Sequence, residues 1–162
     1  MWSLQDKACL KTFYGHEHTV TCILFANNNL YSASRDLSIR VWDVLSGHCL
    51  KTILVGEWIR DLDFKDSFLV AACAQSFKII DLNQSRILNE VSAHENIIES
   101  CRFIPSQSYS FIADLLKTKK QFSRLILTAS RDKTIRLYDN SELLYTFEGH
   151  ENWVRCMAVH EK

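Results

Sequence analysis

Five short phrases in this chain echo one another. GHEHTV begins at Gly15, SRDLSIRVWD at Ser34, SAHENII at Ser92, SRDKTIRLYD at Ser130 and GHENWV at Gly149. Aligned on the apolar residue four places after each histidine position, the copies fall at Val20, Ile59, Ile98 and Val154, in steps of 39, 39 and 56 residues. A fixed period of about forty residues marks an array of small like units, each unable to bury a core alone and each stacked on its neighbour. The last step exceeds the others by 17 residues, which places an insertion in one copy.

The copy from His16 to Thr52 is the cleanest. Val20 to Phe25 is a short apolar-rich run, and the turn signal Asn27-Asn28-Asn29 follows it. Leu30 to Ser34 predicts a second strand and Arg35-Asp36-Leu37 a tight turn. Ser38 to Trp42 alternates polar and apolar, the period of a half-buried strand, and Cys49 to Ile53 makes a fourth. Four short strands per unit predict an all-β meander.

The period is that of a WD-repeat blade, and the chain reads as a partial WD-repeat β-propeller with about three complete four-stranded blades. Residues 1–14 would close a preceding blade, 15–53 form a blade with the complete signature, and 54–92 form a degenerate one. Residues 93–148 form a blade with an insertion near 104–124, and 149–162 would open the next. Propellers have four to eight blades. An open arc leaves unpaired strand edges, so the chain is expected to be a fragment, a truncated product or a piece that a partner closes.

In WD-repeat blades a histidine, a serine or threonine, an aspartate and a tryptophan form a buried hydrogen-bonded set. The matching residues here are His16, Ser32, Asp36 and Trp42, and in the third unit His94, Thr128, Asp132 and Tyr138. Each such bond contributes about 0.5–1.5 kcal/mol net. A catalytic reading of His, Ser and Asp is set aside, because the same residue types return with the repeat. The middle unit has Val55 at the histidine position and Ile80 at the tryptophan position, and is expected to rest on packing alone. In the insertion, Phe111, Ile112, Leu115 and Leu116 recur at helical spacing, so a short helix and a solvated loop are both open.

The 19 basic and 19 acidic residues cancel, so net charge gives no case for nucleic acid or a membrane surface. No apolar run approaches the roughly 18 residues that span a bilayer, and the N-terminus lacks the layout of a secretory signal. The six cysteines have no metal-type spacing and suit small buried hydrophobes in a reducing compartment. A soluble intracellular protein is expected. No phosphate-cradling glycine loop, two-histidine zinc motif or nucleophile elbow occurs, so no enzyme, metal or cofactor is expected.

Arginines recur at equivalent places. Arg35 and Arg131 each precede the aspartate of a strand-two-to-three turn. Arg60 and Arg155 follow the aligned apolar position, and Trp58 and Trp153 precede it. In a propeller these corners open on one rim, and arginine and tryptophan are enriched in binding hot spots.

Taken together, SASRDLSIRVWDVLSGHCLKTI, WIR at Trp58, HENIIESCRFIPSQSYSFI with the insertion after it, TASRDKTIRLYD and GHENWVRCMAVH make the chain resemble the lissencephaly / nuclear distribution family of cytoplasmic dynein regulators. The likeness runs from the end of that family's second blade into its sixth. It implies a non-catalytic propeller that binds the dynein heavy chain motor domain through one face, with Arg35, Arg60, Arg131 and Trp153 at the matching positions. It also implies a role in nuclear migration and spindle positioning, a place on microtubules and spindle poles in the cytoplasm, and a coiled-coil nuclear-distribution co-factor. Family members dimerise through an N-terminal segment that this stretch does not match. A second reading is a substrate-receptor propeller for ubiquitin ligation, with the arginines pairing to phosphorylated peptides.

Overall fold

The computed structural model describes residues 1–160. Among these, twelve strands form three antiparallel sheets of four. The first is β1 (Val20–Ala26), β2 (Asn29–Ser34), β3 (Ser38–Asp43) and β4 (Cys49–Leu54). The second is β5 (Ile59–Lys65), β6 (Phe68–Cys73), β7 (Ser76–Asp81) and β8 (Arg86–Ser92). The third is β9 (Ile98–Phe103), β10 (Leu125–Ser130), β11 (Ile135–Asp139) and β12 (Glu142–Phe147). Each sheet is an up-and-down meander, its strands paired in chain order.

Local chemistry fixes the turns. Asn27 and Asn28 both hold positive φ (48° and 61°), the backbone of a two-residue hairpin whose twist matches the flanking strands. The strand-two-to-three turns of the first and third sheets each put one residue, Leu37 and Lys133, at positive φ. There the preceding aspartate accepts the backbone N–H and the hydroxyl of Ser38 or Thr134, two residues on. In the middle sheet only Ala74 and Gln75 lie between strands, and that aspartate is gone.

The sheets stack through apolar faces. Tyr31, Ile39, Val41 and Ile53 of the first meet Ile59, Leu62, Leu69 and Ile80 of the second. Val70, Phe77 and Ile79 on the second sheet's other face meet Ile98, Phe103, Ile126 and Tyr138 of the third. The innermost strands β1, β5 and β9 lie side by side and are stitched by side chains rather than a ladder. Thr21 Oγ1 donates to Ile59 O at 2.5 Å, and Asp61 and Asp63 accept the backbone N–H groups of Cys101 and Phe103 at 3.1 and 2.7 Å.

The insertion is a packed element. After a 3-10 turn at Ser106–Ser108 it forms α1 (Tyr109–Leu115). Ile112 is buried with Ile104, Leu125 and Leu137, and Tyr109, Leu116 and Phe122 pack around them. The Tyr109 hydroxyl accepts from Lys65 Nζ at 2.8 Å and from the Leu125 N–H at 3.1 Å, tying the insertion to two sheets.

Three expectations need correcting. The middle blade does not rest on packing alone: buried Lys78 reaches Glu57 at 3.1 Å, Glu90 at 3.3 Å and the Val55 carbonyl oxygen at 3.0 Å. The closing strand within 1–14 and the opening strand within 149–162 do not form as strands in the described residues. Trp2 and Cys9 make one isolated bridge, and Val154 donates its N–H to Ser130 O at 3.0 Å. A ladder needs a neighbouring strand on the same sheet, and none of the three sheets extends to these stretches. The six cysteines are all free, but Cys9, Cys49 and Cys156 are exposed, while Cys73 and Cys101 are buried and burial pushes the Cys73 thiol up to about 12.

Candidate binding rim

The polar sets sit where each blade's corner meets its strands. In the first blade, His16 Nδ1 lies 2.7 Å from Asp36 Oδ2 and Nε2 lies 2.6 Å from Ser32 Oγ. Trp42 Nε1–H donates to the same Ser32 oxygen at 2.8 Å. One donor order satisfies all of them: indole N–H to serine, serine O–H to histidine, histidine Nδ1–H to carboxylate. Ser32 is buried, its oxygen held between the indole and the imidazole.

The third blade repeats the inner part, with His94 Nδ1 2.7 Å from Asp132 and Nε2 2.7 Å from Thr128. Tyr138 departs from the pattern. Its hydroxyl donates to Ala93 O at 2.8 Å, beside Arg136 Nη1 at 2.7 Å, and does not reach Thr128. In the middle blade the corner carbonyl taken by the third-strand cation is that of Val55. Val55 thus corresponds in role to Ala93, and Gly56 to the histidine, one place from the fixed-offset alignment.

These sets shift titrations in consistent directions. Burial pushes the Asp132 carboxyl up, but bonds from Thr134 and His94 outweigh it and hold the group at about 2. Asp36 is lowered in the same way by Ser38 and His16. Burial lowers the His94 pKa below the usual histidine range, more than Asp132 restores it.

The rim carries the arginines. The Arg35 guanidinium lies over the Trp58 ring at 5.1 Å, and that of Arg131 lies over Trp153 at 4.4 Å. Arg155 approaches Trp153 at 5.6 Å. Arg60 Nη1 lies 3.4 Å from Glu99, and Arg131 Nε is hydrogen-bonded to the same carboxylate. The structure therefore brings Arg60, Arg131 and Trp153 into one connected row, while Arg35 partners Trp58. Trp58 and Trp153 are 53 % and 45 % exposed, each with a guanidinium stacked on its ring.

Glu99 is the residue that sequence reading missed. It follows the aligned apolar Ile98, the place held by Arg60 after Ile59 and by Arg155 after Val154. An acid among arginines at one repeat position was the available signal. Among the described residues no cluster of His, Cys, Asp and Glu is arranged for a metal ion, and no helix is long and apolar enough to cross a membrane.

Three stacked four-stranded meanders, the outer two with histidine–aspartate corners, define a WD-repeat propeller segment. The WD domain, G-beta repeat family matches residues 7–43, 85–139 and 141–162, and the chain belongs to that family. The unmatched stretch contains most of the blade that lacks the histidine and aspartate. The fold is shared with solved structures of U3-55K (TM-score 0.69, 17 % identity, 88 % of this chain and 43 % of that one) and of a computationally designed protein, Ika4 (TM-score 0.71, 21 %, 93 % and 85 %).

Within the family the chain falls in the nuclear distribution group. It is 38 % identical over 169 residues to nuclear distribution protein nudF of Aspergillus niger, covering 96 % of this chain and 38 % of the relative. It is 35 % identical over 183 residues to nuclear distribution protein PAC1 of Fusarium vanettenii, covering 99 % and 41 %. The chain spans about two fifths of the length of these curated relatives.

Proposed function

We propose that this chain is a non-catalytic interaction module of the cytoplasmic dynein pathway, binding the motor domain of the dynein heavy chain through the rim that carries Arg35, Arg60, Arg131 and Trp153. The observation that supports this reading is the connected row of half-buried Arg60, Glu99 and Arg131 with exposed Trp153, a charged and aromatic surface of the kind that anchors protein partners. Similarity to nuclear distribution proteins supports the pathway: nuclear migration, spindle positioning and microtubule-based transport, in the cytoplasm at microtubules and spindle poles, alongside a coiled-coil nuclear-distribution co-factor.

Glu99 bears on the phosphopeptide alternative. Its carboxylate already lies between Arg60 and Arg131, where a phosphate would need both guanidinium groups free. A partner carboxylate that meets their remaining donors suits this geometry better.

The test is titration of the chain against purified motor domain at physiological salt. The chain binds, and Arg60→Ala with Arg131→Ala together weakens binding by about tenfold or more. Unchanged affinity in the double variant rules out this rim as the contact, and no binding by the unaltered chain rules out the motor as the partner.

A further inference from the structure

The rim has an internal control. Arg35 over Trp58 joins the turn of the first blade to the corner leading into the second. Arg131 over Trp153 joins the turn of the third blade to the corner after it. The register of the first two strands makes Ser34, Cys73 and Ser130 equivalent, opposite Val20, Ile59 and Ile98. The matching pair at the middle junction is therefore Ala74 and Ile97. There the arginine and the tryptophan are lost together.

Folding alone does not account for that pattern. The middle junction closes without either residue: Ile98 N–H donates to Ala74 O at 2.7 Å, and Ile98 is fully buried. The other two junctions have their own backbone and core contacts, so an exposed indole is no requirement for joining blades. Trp58 is 53 % exposed, more than Trp153. An arginine stacked on an indole keeps its N–H edge free for a carboxylate, and the ring keeps an apolar edge beside it.

We infer that Arg35 and Trp58 form a second binding clamp, equivalent to Arg131 and Trp153, and that the partner surface presents two contact points, each an acidic side chain next to an apolar one. Arg60, Arg131 and Glu99 lie between the two indoles along the rim. This deepens the proposed function and rests on it: the partner is the motor domain, and its contact with this chain is bipartite.

Affinity for the motor domain is measured for the full chain and for Trp58→Ala, Trp153→Ala, Trp58→Phe and Arg35→Gln, with melting midpoints for all. Trp58→Ala and Trp153→Ala each weaken binding by about tenfold. Trp58→Phe keeps most of the affinity and Arg35→Gln loses part of it. If Trp58→Ala also lowers the melting midpoint, Arg35→Gln decides, because that side chain is exposed in a turn. Trp58→Ala or Arg35→Gln binding like the unaltered chain, while Trp153→Ala fails, overturns the second clamp and leaves motor binding through Arg60, Arg131 and Trp153 standing. No binding by the unaltered chain overturns both.

Discussion

The Lys78 ammonium lies 3.0 Å from the carbonyl oxygen of Val55, as the Arg136 guanidinium lies 2.7 Å from that of Ala93. In two successive blades a cation on the third strand caps the backbone of the corner before the first strand. The middle blade, stripped of its histidine, aspartate and aromatic, keeps this contact and adds Glu57 and Glu90. Lys78→Met removes the cation while keeping most of the packing, and leaves a carbonyl and two carboxylates without their partner. Since both glutamates are partly exposed, the expected loss is about 1–3 kcal/mol, read as a lower urea midpoint.

Trp42 and Tyr138 occupy equivalent positions but do different work. Trp42→Phe takes the only indole donor from Ser32 inside a buried set, at an expected cost of about 1–2 kcal/mol. Tyr138→Phe costs less, because Ala93 O is still capped by Arg136 and the ring still packs edge-on against Phe77 at 5.0 Å. Equal losses in the two variants would contradict this account.

Acid acts on the histidine sets in a defined order. The His94 pKa is lowered on folding, so protonation favours the unfolded chain. Its contribution is complete above the ordinary histidine value of about 6.5 and is lost as pH falls below it. Asp132, held at about 2, contributes fully above the ordinary value of about 3.9 and loses that contribution as pH falls toward 2. Urea midpoints recorded from pH 8 to pH 3 should therefore decline in two windows. His94→Asn flattens the upper window whatever its effect on the absolute stability.

How much of this was legible beforehand depends on the type of residue. The strands of the first blade were readable to within a residue, because alternation and turn residues act locally. His16, Asp36, His94 and Asp132 were readable because a repeat singles out polar residues that never drift. Lys78 and Glu99 were not. Their partners are set by stacking between blades or between a strand and a corner; nothing local marks a buried lysine, and an acid among arginines at one repeat position does not say which arginines it bridges. The insertion was open to two readings because helical spacing over six residues does not reveal whether an apolar face is waiting for it.

Glu99→Gln tests that shared carboxylate directly. Neutralising it leaves Arg60 and Arg131 side by side without a counter-ion, at an expected cost of under about 1 kcal/mol for partly exposed pairs. It also raises the positive field of the rim. Binding to an acidic probe such as poly-glutamate should strengthen at low ionic strength and fall more steeply with added salt. An unchanged salt dependence would mean that the two guanidinium groups do not face the probe.

The insertion also bears on how the chain folds. In the first blade the histidine and aspartate that meet are 20 residues apart; in the third they are 38 apart, because α1 and its flanks intervene. Closing a loop nearly twice as long costs about 0.6 kcal/mol more in chain entropy before any contact rewards it. The first blade is thus the cheaper nucleus. Pulse-labelled hydrogen exchange should find the amides of β1 and β2 protected before those of β9 and β10, with the insertion setting the tempo of the last sheet.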